Sequence, residues 1–261
     1  MAEAPGECRV CGGPTEPLFE GTVLRSTPVT YRRCGTCGTL QLLDATWLER
    51  AYAGRLVPDP DEARLCRAGI LARTARRLLA VGLLPPKPRC LDLGAGPGIL
   101  VRLLRDAGME AWGYEPMDEP RFAETFLSRD WPAGVFDLVV ASEVLEHSLD
   151  PAGFVRRAAA SLAARGVLLL TTELLDEEAE RDLPRWPYLA ADYGQHITFL
   201  APQALRGLAL KGGLEWWLSF DFAGKPVLHL FGRGRPRALA LGRLRFRQRR
   251  GEARWGNDRR V

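Results

Sequence analysis

Five residues in this sequence are spaced to hold a charged ligand. In the run CLDLGAGPG, Asp92 stands two positions ahead of Gly94, and Gly94, Gly96 and Gly98 alternate with other residues. Glu115 follows 21 residues after Gly94. Gly94 allows a tight turn, and Gly96 lets a ligand approach the backbone. A helix beginning just beyond them presents free N–H groups to the same place. The spacing G-x-G-x-G differs from the G-x-G-x-x-G of dinucleotide binders. A carboxylate at Asp92 suits a ligand carrying cationic centres better than a pyrophosphate. A carboxylate at Glu115 can accept hydrogen bonds from both hydroxyls of a ribose.

A second constellation lies upstream. Cys8-x-x-Cys11 and Cys34-x-x-Cys37 form two knuckles with 22 residues between them, each followed by glycine. Four thiolates give the closed tetrahedral set of a structural zinc site. The glycines are expected to free backbone N–H groups that point at the thiolates. Paired disulfides are the alternative, disfavoured in an intracellular protein. Cys66 and Cys90 are expected in the core, on a helix and a strand.

Apolar periodicity places elements around these residues. Residues 61–84 repeat apolar side chains at helical spacing, and the prolines from Pro85 are expected to end that helix. Strands are predicted at Cys90–Leu93, Glu110–Tyr114, Phe136–Ala141 and Val167–Thr171. Helices are predicted at Gly98–Ala107, Pro151–Ala164 and Pro202–Lys211. The alternation gives an α/β fold with a doubly wound, Rossmann-like parallel sheet, closed by an antiparallel pair at Leu214–Phe220 and Val227–Phe231. Residues 173–198 fit no regular element and read as a lid or substrate loop. The expected organisation is a small zinc-ribbon module over 1–60, the α/β domain over 61–231 and a basic tail over 232–261.

LDLGAGPG, then GYEP, then FDLVVASEVLEH resemble the class I S-adenosylmethionine-dependent methyltransferases across roughly residues 88–231. The resemblance implies S-adenosylmethionine as cofactor. Asp92 would then sit near its methionine moiety, Gly94, Gly96 and Gly98 under it, and Glu115 at the ribose. Met117 would lie near the adenine, and Ala141, Ser142 and Glu143 on the methionine side. An acidic residue for the adenine amine is not securely placed; Glu124, Thr125 and Phe126 are the candidates. With CxxCG and YRRCGTCGTLQL ahead of that domain, the chain is similar to the deoxysugar C-methyltransferases, although it lacks their further C-terminal domain.

Methyl transfer is an in-line displacement at a sulfonium, and a hydroxyl or carbon acid must lose a proton to take part. His196 is the candidate general base. It follows Tyr193 and Gln195 in the irregular segment, where the C-methyltransferases carry a Tyr-x-Glu-His run. Gln195 in place of Glu can orient the imidazole but supplies no charge. A histidine that caps the loop is the competing reading. His147, in the LEH run, and Tyr193 complete the candidate catalytic set. His229 reads as structural. Trp47, Tyr52, Trp186 and Tyr188 serve equally as an aromatic pocket or as packing, and at least one of Trp216 and Trp217 belongs in the core.

The net charge of +4 divides unevenly, with +9 between Gly232 and Val261 and −5 in the rest. An acidic body argues against a broad nucleic-acid surface. The Arg-rich tail reads as a solvated segment. No stretch approaches the roughly 20 apolar residues of a membrane span, and no leader is evident, so a cytoplasmic protein is expected. The leading function is methyl transfer to a small-molecule acceptor, a sugar or secondary metabolite, at O, C or N. One alternative is an RNA methyltransferase, although the D/N-P-P-Y/F signature is missing from the fourth strand. Another is a non-catalytic cofactor-binding assembly protein.

Overall fold

A computed structural model of the chain describes residues 6–53, 62–117, 119, 121–220 and 228–233. The strands are β1 Gly6–Glu7, β2 Pro14–Val23, β3 Thr27–Cys34, β4 Leu40–Gln41, β5 Arg89–Leu93, β6 Glu110–Tyr114, β7 Leu127–Ser128, β8 Phe136–Ser142, β9 Leu162–Thr171, β10 Thr198–Phe199, β11 Trp216–Phe220 and β12 Leu228–Gly232. The helices are α1 Leu48–Ala53, α2 Glu62–Ala80, α3 Ile99–Asp106, α4 Pro151–Ala160, α5 Glu177–Arg181 and α6 Pro202–Lys211. They divide between two compact units. The first takes residues 1–58, 145–156 and 173–212, and the second takes 59–144, 157–172 and 213–261. Cys8, Cys11, Cys34 and Cys37 thus share a unit with two later stretches of chain as well as with the expected N-terminal module.

The second unit holds a seven-stranded sheet in the order β11-β12-β9-β8-β5-β6-β7. Strands β5 to β9 run parallel, and β12 and β11 close one edge antiparallel. This is the Rossmann-like α/β fold that the alternation of elements predicts. Strand β5 lies between β6 and β8, so the chain order reverses there, and ligands of open α/β sheets bind at such a point. The runs Cys90–Leu93 and Leu138–Ala141 are buried throughout, as expected of strands covered on both faces. Leu71, Ala75 and Leu78 of α2 and Val101 and Leu104 of α3 pack into one cluster with Cys90, Leu138, Val140 and Leu169.

Two boundaries differ from expectation, and so does one cysteine. Helix α2 ends at Ala80 and is stopped by Gly82, not by the prolines. Gly82 has φ 78°, its N–H donates to Leu79 O at 3.0 Å and that of Leu83 to Leu78 O at 2.9 Å, a Schellman stop. Helix α4 stops at Ala160 despite the alanines that follow, because Phe136 N donates to Ser161 O at 2.8 Å and Leu162 pairs with Phe136. Sheet pairing there outweighs helix propensity. Cys66 is exposed on α2, whereas Cys90 is buried as expected.

The first unit holds a five-stranded sheet, β1-β2-β3-β4-β10, with every pair antiparallel. The stretch expected to be irregular supplies its last strand: Thr198 pairs with Gln41 and Phe199 with Leu40. The same stretch contains α5, whose N-cap Asp176 accepts from Glu178 N and Ala179 N at 3.0 Å, and two short 3-10 turns. Among the described residues no helix is long and apolar enough to cross a membrane. Arg233 donates to Ala159 O at 2.8 Å. The rest of the Arg-rich tail, Arg235 to Arg260, lies outside the described residues.

Candidate functional site

The strands of the second unit end in register. Leu93 pairs with Tyr114 on one side and Ala141 on the other, and Ser142 pairs with Thr171. Gly94, Glu115 and Glu143 therefore leave the sheet along one carboxyl edge.

The glycine loop is fastened to the end of β6. Gly94 N and Ala95 N both donate to Tyr114 O, at 2.9 and 3.1 Å. Glu115 is buried, and its two carboxylate oxygens accept from Gly96 N and from Met117 N, each at 2.8 Å. Gly94, Gly96 and Gly98 all have positive φ, so each occupies the left-handed region where a side chain is strained. Gly98 opens α3, and a Cβ there would lie 2.8 Å from Leu127 Cδ1. Gly113 is a site-building residue that spacing alone did not single out. A Cβ on it would meet Ala95 Cβ at 2.8 Å and Val101 Cγ2 at 3.0 Å, so only glycine lets the loop settle on β6.

Asp92 is 3% exposed. Among the described residues no group donates a hydrogen bond to its carboxylate. Burial, and then the nearby Glu115 charge, push its pKa up to about 7. A desolvated carboxyl of this kind at a sheet edge calls for a cation. The ammonium and sulfonium of S-adenosylmethionine meet that need, and the Glu115 oxygens retain lone pairs for ribose hydroxyls.

Ser142 Oγ lies 3.0 Å from Thr171 Oγ1, and Glu143 N donates to both the carbonyl and the hydroxyl of Thr171, at 3.0 and 3.1 Å. Glu143 adopts φ 53°, an uncommon conformation for a residue with a side chain and one that clusters at functional sites. Met117 is 65% exposed. Of the adenine candidates, Phe126 lies beneath the Arg105 guanidinium at 3.4 Å, which occupies that ring face, and Glu124 and Thr125 share its 3-10 turn. His229 is fully buried, with Nδ1 2.8 Å from Ser219 Oγ and Nε2 3.2 Å from Thr172 O, consistent with its structural reading.

In the first unit the four cysteine sulfurs converge to within 4.8 Å of one another. Cys8 Sγ is 3.6 Å from Cys37 Sγ, and Cys11 Sγ 3.5 Å from Cys34 Sγ. These separations are too long for a disulfide at roughly 2.05 Å. They are close to the roughly 3.8 Å edge of a tetrahedron with metal–sulfur bonds of about 2.3 Å, so the residues fit a zinc ion. The glycines after the knuckles act differently from expectation. Gly12 N and Gly38 N close the turns onto Cys8 O and Cys34 O at 2.8 and 3.0 Å, while Gly13 N, Thr36 N and Cys37 N point at the sulfurs.

The same unit brings His147 and His196 together, with ring centroids 4.8 Å apart and planes at 83°. Leu145–His147 form a 3-10 turn, and Ile197 N donates to Glu146 O at 2.8 Å, which ties the two histidine segments. His196 Nδ1 is 2.7 Å from Tyr188 O, and His147 Nδ1 is 3.1 Å from Gln195 O and 3.2 Å from Tyr52 Oη. Glu146 is fully buried, and its carboxylate falls within 4.8 Å of a nitrogen of each ring.

Two expectations change here. Tyr193 is 41% exposed and makes no ring or hydroxyl contact with His196 among the described residues; buried Tyr188 meets that imidazole edge-on instead, with ring centroids 4.8 Å apart. Gln195 orients His147 through its backbone carbonyl, while its amide donates to Ala51 O at 3.1 Å. Glu146 and Tyr188 are thus the members of the cluster that the spacing of Tyr193 and His196 did not reveal. Trp47 is packing, since it is buried and donates to Gly194 O at 2.7 Å. Trp186 and Tyr188 are buried, and Tyr52 is partly exposed beside His147.

Sequence comparison places these features. A methyltransferase-domain profile matches residues 64–218, more than half of the chain. A ubiquinone biosynthesis O-methyltransferase from Bradyrhizobium diazoefficiens is 31% identical over 115 residues, covering 38% of this chain and 44% of that protein. One from Methylocella silvestris is 36% identical over 107 residues, covering 33% and 42%. The match spans less than half the length of either relative. Among solved structures, magnesium protoporphyrin IX methyltransferase from Synechocystis PCC 6803 superposes with a TM-score of 0.49 at 16% identity, covering 71% of this chain and 92% of that one. On the extent of the profile match, this chain belongs to the methyltransferase-domain family.

Proposed function

We propose that the chain transfers a methyl group from S-adenosylmethionine to a small-molecule acceptor, with an oxygen as the first acceptor atom to test. One observation carries the reading. A desolvated carboxyl at Asp92 and a Glu115 carboxylate bonded to the loop amides stand together at the switch point of the sheet. That pairing suits a ligand cationic at one end and a ribose at the other. The named activity of the two curated relatives, O-methylation in ubiquinone biosynthesis, supports an oxygen acceptor. A sugar or another secondary metabolite belongs to the same chemical class.

The cofactor supplies an electrophilic methyl group when bound. Asp92 and Glu115 anchor it, the glycines give it room, and Ser142 and Glu143 line the same strand ends. His196 is the base that takes the acceptor's proton, and the Tyr188 carbonyl holds its Nδ1. The four cysteines hold a structural zinc ion, in a module centred on residues 1–60 and separate in role from the cofactor-binding residues.

Calorimetry with S-adenosylhomocysteine, paired with a methyl-transfer assay on hydroxylated aromatic acceptors, tests the reading. Glu115→Ala should weaken binding about tenfold to a hundredfold, the equivalent of one charge-assisted hydrogen bond at about 1.5–3 kcal/mol. His196→Ala should bind normally and turn over about a hundredfold more slowly or worse. Unchanged binding in Glu115→Ala refutes the cofactor site, and unchanged turnover in His196→Ala refutes the base.

A further inference from the structure

Glu146, His147 and His196 carry more than a base requires. In the neutral imidazole one nitrogen is a donor and the other an acceptor. His196 Nδ1 lies 2.7 Å from Tyr188 O, and a carbonyl can only accept, so that nitrogen holds the proton and Nε2 the lone pair. His147 Nδ1 lies 3.1 Å from Gln195 O, which imposes the same tautomer; Tyr52 Oη at 3.2 Å then shares that N–H as a second acceptor. Backbone carbonyls thus fix both rings with Nε2 as the basic atom, the outer arrangement found around metal-bound histidines. The rings stand nearly perpendicular with centroids 4.8 Å apart, so their edges converge without stacking. A fully buried carboxylate, Glu146, completes the trio, with one ligand atom from each residue inside a 4.8 Å span.

We infer that Glu146, His147 and His196 bind a divalent first-row transition-metal ion, of the class typified by zinc. Two imidazoles and one carboxylate match that class rather than calcium or magnesium, which prefer all-oxygen shells. Three protein ligands leave a coordination position open, as in catalytic rather than structural sites. The site shares no ligand with the four cysteines.

The test is metal stoichiometry on the full chain. Metal is stripped with a chelator, one equivalent of zinc is restored to the cysteines, and cobalt(II) is titrated in as the probe. Wild type should take one further equivalent, with a visible d–d spectrum free of thiolate charge transfer. His196→Ala and Glu146→Gln should each weaken that equivalent by more than the roughly 10–100-fold cost of losing an outer-shell partner. Glu146→Gln keeps the shape of the buried side chain and guards against a folding artefact, and melting curves check both variants. Absence of a second equivalent in wild type overturns the inference, as does a second equivalent that binds equally well in both variants. S-adenosylhomocysteine calorimetry on the same samples separates the two ideas. Cofactor binding without a second metal removes only the metal site, and a second metal without cofactor binding removes only the methyl-transfer reading.

Discussion

Asp92→Asn is the perturbation most directly dictated by the structure. Burial first, and the Glu115 charge second, raise the Asp92 pKa from 3.8 to about 7. Between about pH 4 and pH 7 the native chain therefore keeps a proton that the unfolded chain has already released. For an acid with a raised folded pKa, stability is lost as pH rises through that window. A shift of about three units at about 1.36 kcal/mol each costs roughly 4 kcal/mol above pH 7. Asparagine has no charge to desolvate, although its amide must still be accommodated in the same dry place at about 1–3 kcal/mol. The cofactor-free variant should therefore be about 1–3 kcal/mol more stable than wild type at pH 8. Its advantage should shrink by about 2–3 kcal/mol on moving to pH 5, where wild-type Asp92 is already protonated in the fold. Urea unfolding at several pH values, read as variant minus wild type, measures this directly. A difference that stays flat from pH 5 to pH 8 would falsify the desolvated-carboxyl account. S-adenosylmethionine, which supplies the missing cation, should stabilise wild type more than the variant.

Subtraction matters because His229 slopes the opposite way. Burial lowers its pKa to about 4, against the opposing pull of the Thr172 carbonyl, so the unfolded chain takes up a proton below about pH 6.5 while the fold does not. Stability is lost as pH falls from 6.5 toward 4, by about 3 kcal/mol in total. His229→Asn should flatten that acid limb in the same urea series while lowering stability at pH 7. Cys34→Ser should release zinc and collapse the melting transition of the cysteine unit, whereas Cys66→Ser, exposed on α2, should shift stability by less than about 0.5 kcal/mol; zinc content and thermal melts read both. Gly113→Ala should cost about 1–3 kcal/mol from overpacking against Ala95 and Val101, and calorimetry should show weaker S-adenosylhomocysteine binding as the glycine loop is displaced.

The sequence by itself determined the elements whose signal is local. Pro202–Lys211 and Glu110–Tyr114 have the predicted bounds, because helical periodicity and a short apolar run each suffice within a few residues. Gly94, Gly96, Gly98 and Glu115 were legible for the same reason, since glycine is needed wherever φ is positive and the strand ends fix the spacing. The knuckles of Cys8, Cys11, Cys34 and Cys37 were legible because ligand spacing is a property of the chain. Only the tertiary structure decided the rest. That Thr198–Phe199 is a strand depends on a partner more than 150 residues earlier, so no local pattern announces it. Gly113 matters because of what a Cβ would strike, a fact of packing. Glu146, Tyr188 and the carbonyl of Gln195 surround the histidine pair because a 3-10 turn at 145–147 and the chain at 188–197 come together in space. Exposure decided the remainder: Tyr193 faces water and Cys66 lies outside the core, because each face of an element is assigned by what packs on it and not by residue type.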